Sequence, residues 1–191
     1  VVHLAEMVGD PLCDKKPEKT YAINFLASIT ISSICKNLGI NKFIYVSSCS
    51  VYGSNNSITN EKSKLNPLSI YAKLKVLCEK TIIKNFDKKS QVSILRLGTV
   101  YGASPRPRYD LVVNLFSGLI ANNKEIKIAG GNQWRPFTHV KDVSRAIIYM
   151  IKSKNRKADN QIFNVVGENV KIQDLGKFIK KIKPDAKIKY E

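Results

Sequence analysis

The period of apolar residues changes repeatedly along the chain, and each change marks a new element. Lys42-Phe-Ile-Tyr-Val-Ser-Ser48 and Val92-Ser-Ile-Leu-Arg-Leu-Gly98 are short, nearly continuous apolar runs. Runs of this kind belong to strands covered on both faces. Val1-Val2-His3-Leu4-Ala5 has the same character and reads as the end of a buried strand. Between these runs the spacing turns helical. Residues 17–38 predict a helix, with Pro17 in its first turn and Gly39 past its end. Residues 68–86 predict a second helix, and residues 110–122 a third with Asp110 as its N-cap. Two more are predicted at 141–152 and 172–182, with short strands at 126–129, 162–166 and 186–190. Residues 99–109, rich in Gly, Pro and Arg, read as a loop. Strands alternating with helices imply an α/β fold with a parallel sheet.

Composition narrows the partners. The chain has 191 residues, 43% hydrophobic and 25% charged, which excludes disorder for its bulk. Lys+Arg number 32 against 15 acids, a formal charge of +17. Lysine dominates this excess and is spread from Lys15 to Lys189, the pattern of a solvated surface. Nucleic-acid binders concentrate basic and aromatic residues on one face, so no nucleic-acid partner is expected. Cys13, Cys35, Cys49 and Cys78 form no CxxC pair and no zinc spacing. No metal site is therefore expected, and a reduced, cytoplasmic chain is. The uncharged stretch at residues 20–35 is too short and too polar to span a bilayer, and no membrane partner is expected.

Tyr71 and Lys75 form a Y-x-x-x-K pair within a predicted helix, so phenol and ammonium project from one face. A nearby positive charge favours the phenolate and makes a general acid/base near neutral pH. Ser47-Ser48-Cys49-Ser50 closes a strand, at the edge where open α/β sheets bind ligands. Asn24 interrupts an otherwise apolar helix and needs a partner if buried. Asn24, a serine of the 47–50 run, Tyr71 and Lys75 thus form a candidate proton-relay set.

Six segments in a fixed order give a resemblance. They are Val2-His3-Leu4-Ala5, Asn24, Ser47-Ser48-Cys49-Ser50-Val51-Tyr52-Gly53, Tyr71-Ala-Lys-Leu-Lys75, Leu95-Arg96-Leu-Gly-Thr99-Val-Tyr101-Gly102 and Arg135-Pro-Phe-Thr-His139-Val-Lys-Asp142-Val. They resemble an extended short-chain dehydrogenase/reductase of the NAD-dependent sugar-nucleotide epimerase/dehydratase family. The resemblance implies a partial Rossmann-type doubly wound parallel sheet with part of a small C-terminal substrate-binding subdomain. Residues 1–105 would be the later half of the NAD(P)-binding domain. Residues 106–191 would be part of the sugar-nucleotide region, with about 136–166 returning to the sheet. It assigns catalysis to Ser48, Tyr71, Lys75 and Asn24. It assigns NAD, with NADP open, to Leu4, Ala5, Asn24, Tyr71, Lys75 and Gly98, and a nucleotide sugar to Ser48, Thr99, Arg108, Asn114 and Arg135. Arg106 and Arg108 either contact phosphate or sugar acid groups or face water. His139 is expected to order backbone and His3 to pack at a strand end. A homodimer through residues 17–38 and 68–86 is also implied.

Departures qualify the implied activity, an epimerase acting through a keto intermediate. Cys49 and Ser50 stand where 4,6-dehydratases of the family carry Asp and Glu, which disfavours that branch. Glu6 replaces a small residue and is expected to crowd the nicotinamide or alter ribose contacts. Thr99 replaces an Asn. No G-x-x-G-x-x-G occurs, so the chain reads as a fragment lacking about 60–90 N-terminal residues, at about 30 residues per βαβ unit. The alternatives are an NADP-linked reductase or non-4,6 dehydratase of the same family, a non-catalytic NAD-binding scaffold, and a basic nucleic-acid-binding domain.

Overall fold

The computed structural model describes residues 1–55, 57–86, 90–153 and 160–191. The described chain forms two compact units. One comprises Val1–Leu97 with Arg145–Val165, the other Gly98–Ser144 with Val166–Glu191.

The first unit is built on a parallel sheet in the order β1 (Val2–His3), β2 (Lys42–Ser48), β3 (Gln91–Leu97), β7 (Gln161–Val165). Alternation along the strands sends Phe43, Tyr45, Val92 and Ile94 to one face. There they pack against Cys35 of α3 (Ser28–Asn37) and Cys78 and Ile82 of α4 (Ile70–Asn85). Ile44 and Leu95 go to the other face and meet Met150 of α6 (Val140–Lys152). Both faces are covered, which is why these strands read as continuous apolar runs.

The second unit holds a three-stranded sheet, β4 (Thr99–Tyr101), β6 (Trp134–His139) and β8 (Glu168–Lys171), with β8 antiparallel to β6. A two-stranded parallel sheet pairs β5 (Ile126–Ile128) with β9 (Ile188–Tyr190). Phe116 of α5 (Val112–Ala121), Ile126, Ile128, Phe137 and Ile172 of α7 (Ile172–Ile182) form its core.

Several elements differ from the sequence expectation. The expected helix 17–38 is α2 (Pro17–Thr20), a π-helical turn (Tyr21–Ala27) and α3, preceded by a short α1 (Asp10–Lys15). Asp110 does not cap α5, which starts after Leu111; its carboxylate pairs with Arg108 instead. Residues 99–101, expected in a loop, form β4 because they pair with β6. The first unit runs to Leu97 and takes up Arg145–Val165, and the chain rejoins its sheet through Gln161–Val165. β6 itself contains Pro136, and an internal proline argues against a strand.

Candidate active site

The site is organised around α4, whose start is fixed twice. Ser69 accepts a hydrogen bond from the Ala72 N–H at 3.2 Å as its N-cap. Upstream, Gly53 adopts φ +67° and lies against the Asn66 carbonyl, where a Cβ would come within 2.0 Å. The turn leaving β2 and the segment entering α4 are therefore held together by a position only glycine fills.

On α4, Tyr71 is half-buried and Lys75, one turn later, is buried. The Lys75 ammonium lies 5.5 Å from the Tyr71 ring centroid and 4.7 Å from that of Tyr45. It donates to the Val46 carbonyl and pairs with Glu6 Oε2 at 2.6 Å. The other Glu6 oxygen accepts from the Tyr45 hydroxyl at 2.6 Å. Burial pushes Lys75 below its ordinary value, and Glu6 opposes the shift. Burial and Glu6 together push the Tyr45 phenol well above its ordinary value, so it stays a donor. Burial raises the Cys78 thiol to about 11. Glu6, expected to crowd the nicotinamide or alter ribose contacts, directs its carboxylate to Lys75 and Tyr45.

Asn24 is buried in the π-helical turn, an irregularity often found at functional sites. Its Oδ1 accepts from the Met7 N–H and its Nδ2 donates to the Met7 carbonyl, each at 2.8 Å. Both ends of the amide thus clamp one peptide unit next to Glu6, and its own carbonyl accepts from the Cys78 thiol at 3.1 Å. His3 stacks on Tyr45 and is hydrogen-bonded to Ser28 Oγ at 2.8 Å, in keeping with a packing role. Leu4 and Ala5, at the end of β1, are exposed.

The two serines ending β2 diverge. Ser47 is buried and donates to Glu79 Oε1. Glu79 in turn pairs with Arg96 of β3, Nε to Oε1 at 3.0 Å and Nη2 to Oε2 at 2.6 Å. Arg96 also donates to the Tyr52 hydroxyl at 2.8 Å, which donates to Asn164 Oδ1 at 2.7 Å. Burial lowers the Arg96 guanidinium, but the Glu79 bond more than offsets it and keeps it firmly charged. This network bolts α4 to β2 and β3. Ser48, half-buried, is left at the sheet edge, where its Oγ accepts from the Ser50 N–H at 3.1 Å.

In the second unit Gly98 packs on β6; a Cβ there would meet Thr138 Oγ1 at 2.9 Å and Pro136 O at 3.0 Å. Thr99 is half-buried opposite Phe137. Asn114 Oδ1 accepts from the Gly102 N–H and Nδ2 donates to the Arg108 carbonyl, both at 3.2 Å, which ties down residues 102–108. The Arg108 bond holds the Asp110 carboxyl below its usual range. Arg106 and Arg135 are exposed, Arg135 opposite Val170. His139 accepts from the Lys141 N–H at 3.2 Å and meets Tyr101 edge-on, ordering backbone as expected.

Residues 1–166 match the NAD dependent epimerase/dehydratase family. The chain belongs to that family. Among its relatives, a dTDP-D-glucose 4,6-dehydratase of Dictyostelium discoideum is 31% identical over 190 residues, covering 92% of this chain and 42% of that protein. A putative UDP-glucose 4-epimerase of Methanocaldococcus jannaschii is 30% identical over 186 residues, covering 94% and 59%. The crystal structure of UDP-glucuronic acid 4-epimerase from Bacillus cereus, in complex with UDP-glucuronic acid and NAD, superposes with a TM-score of 0.85 at 28% identity, covering 99% of this chain and 62% of that one. The chain thus spans about half the length of the curated relatives it matches. Its doubly covered parallel sheet is the Rossmann-type sheet expected for this family.

Family motifs pointed to Tyr71, Lys75 and Ser48 but not to what holds them. Glu79 lies one helical turn beyond Lys75, on the same face of α4, and that spacing was the available signal. The engagement of Glu6 with Lys75 had no local signal, because it joins residues far apart in sequence.

Proposed function

We propose that this chain is the later part of an NAD-dependent sugar-nucleotide epimerase that uses Tyr71 as its acid/base. The observation that carries the reading is the Tyr71–Lys75 pair on α4, with the ammonium buried beside the end of β2 that carries Ser48. UDP-sugars are the favoured substrates, because the relative crystallised with NAD holds one. The residues suit such ligands. Ser50 Oγ, two residues from Ser48, is buried without a hydrogen-bond partner, and the Lys75 ammonium, bonded to Val46 and ion-paired with Glu6, has three N–H groups to share. Leu4, Ala5, Asn24, Tyr71, Lys75 and Gly98 are proposed on the cofactor side. Thr99, Arg108, Asn114 and Arg135 are proposed for the nucleotide sugar, Arg135 with its fork on a phosphate.

NAD, held on the side of Leu4, Ala5 and Lys75, would supply the two-electron hydride acceptor and donor that oxidation and re-reduction of the sugar carbon require. Tyr71 accepts the proton of the sugar hydroxyl while the carbon is oxidised, and gives it back on re-reduction. The Lys75 ammonium makes the phenolate less costly. Ser48 donates a hydrogen bond to the same oxygen. Asn24 serves through Met7, by fixing the loop that carries Glu6.

An epimerase is favoured over a 4,6-dehydratase by the turn after Ser48. The Cys49 thiol, pushed up to about 12 by burial, donates to the Arg96 carbonyl, and with Ser50 beside it no carboxyl group stands there to help expel water. The test is turnover by the full-length protein carrying residues 1–191, with NAD and UDP-sugars, followed by NMR of the sugar. Tyr71→Phe is expected to lower kcat by about 10²–10⁴; unchanged turnover would overturn the assignment. Stoichiometric consumption of reduced cofactor would favour the reductase reading, and cofactor binding without turnover the scaffold.

A further inference from the structure

Lys75 is buried among groups that leave it one full counter-charge. From β1 and the loop after it come His3 and Glu6, from β2 the Tyr45 phenol and the Val46 carbonyl, and from α4 itself Tyr71, Cys78 and Glu79. Burial keeps His3, Tyr45 and Cys78 in their neutral forms near pH 7. Glu79 is committed to Arg96 in a two-pronged pair. Glu6 stands apart. Its side chain is 3% exposed, one oxygen is 2.6 Å from the ammonium, and the other accepts from Tyr45. The next residue, Met7, is clamped at both N–H and carbonyl by Asn24. The carboxylate is thus held from two directions.

We propose that Glu6 is a positioning residue of the Tyr71–Lys75 pair, keeping the buried Lys75 in its ammonium form and fixing that ammonium beside Tyr71. The proposal rests on the reading of Tyr71 and Lys75 as the acid/base pair. A lysine deprived of water gives up its proton unless an anion faces it. A neutral amine would lend Tyr71 no positive field. Glu6 therefore acts through Lys75, and its loss shows as a change in pH dependence rather than as a uniform loss of rate.

The test uses the full-length protein without cofactor, labelled with [¹³Cε]lysine, the Lys75 signal being assigned from Lys75→Met. In the wild type Lys75 is expected to titrate below an ordinary lysine, because burial disfavours its charge while Glu6 opposes the shift. In Glu6→Gln its midpoint is expected to fall by at least about one pH unit, a tenfold change in proton affinity. Unchanged titration in folded Glu6→Gln overturns the proposal. In the unmodified protein the Glu6 carboxyl carbon must shift at the same midpoint as Lys75, so the proposal stays testable if the variant fails to fold; two unlinked titrations overturn it. In turnover, the basic limb of the kcat profile moves down with the Lys75 midpoint. If the wild type turns over no sugar nucleotide, the functional reading fails while the NMR titration still decides the role of Glu6.

Discussion

Replacing Glu79 by alanine tests whether α4 is anchored electrostatically. In the structure Arg96 and Glu79 are each 2% exposed and share two hydrogen bonds, and Ser47 adds a third to the carboxylate. Removing the carboxylate strands a guanidinium whose other bonds are to the Tyr52 hydroxyl and, weakly, the Glu61 carbonyl. Breaking a buried pair from one side costs about 3–5 kcal/mol. The Ser47 hydroxyl also loses its acceptor, a loss that overlaps with the first. A total near 4 kcal/mol is a large part of the roughly 5–15 kcal/mol by which domains are stable. Urea unfolding of the full-length protein without cofactor, followed by circular dichroism, reads this directly. With a slope of about 1–3 kcal/mol per molar urea, the midpoint should fall by more than about 1 M. The double variant Glu79→Leu with Arg96→Met removes both charges and should recover most of the loss. A fall below about 0.3 M in Glu79→Ala, or a double variant as unstable as the sum of the single changes, would refute the desolvated-pair argument.

Two other outcomes follow from burial. His3 is held below its ordinary value of 6.5 chiefly by burial, so the folded state prefers the neutral ring. Its contribution to stability is complete above about pH 6.5 and is lost as pH falls through the lower folded value. Urea midpoints should therefore drop more between pH 7.5 and 5.5 in the wild type than in His3→Gln; equal drops would count against it. On the helical stretch from Pro17 to Asn37, the inward residues are Thr20, Asn24, Ser28, Ser32 and Cys35, while Tyr21, Leu26 and Ile34 are exposed. Such an outward apolar face suits a two-fold dimer, so Ile34→Glu should convert the full-length protein from dimer to monomer in sedimentation. A wild type already monomeric at micromolar concentration would sink the dimer.

The sequence made some of this legible and hid the rest for physical reasons. β2 and β3 could be read because strands covered on both faces leave a mark in every residue. β4 and β8 could not, since short strands of mixed polarity gain their structure from pairing with β6, a non-local event. The π-helical turn escaped because it keeps the composition of an α-helix and differs only in which carbonyl each N–H meets. The site divides the same way. Tyr71 and Lys75 were visible because i, i+4 spacing puts both on one face. The groups around Lys75 come from β1 and the loop after it, from β2 and from α4, and only the folded chain places a Glu6 oxygen 2.6 Å from the ammonium. Asn24 carries the sharpest lesson. Its type and position suggested a link in a proton relay, yet its amide is engaged at both ends by the Met7 peptide. The peptide it clamps adjoins the carboxylate that faces Lys75, which ties Asn24 to the proposed acid/base pair one step removed. A motif read along the chain names candidate side chains; the charge balance around them comes from contacts that no local spacing encodes.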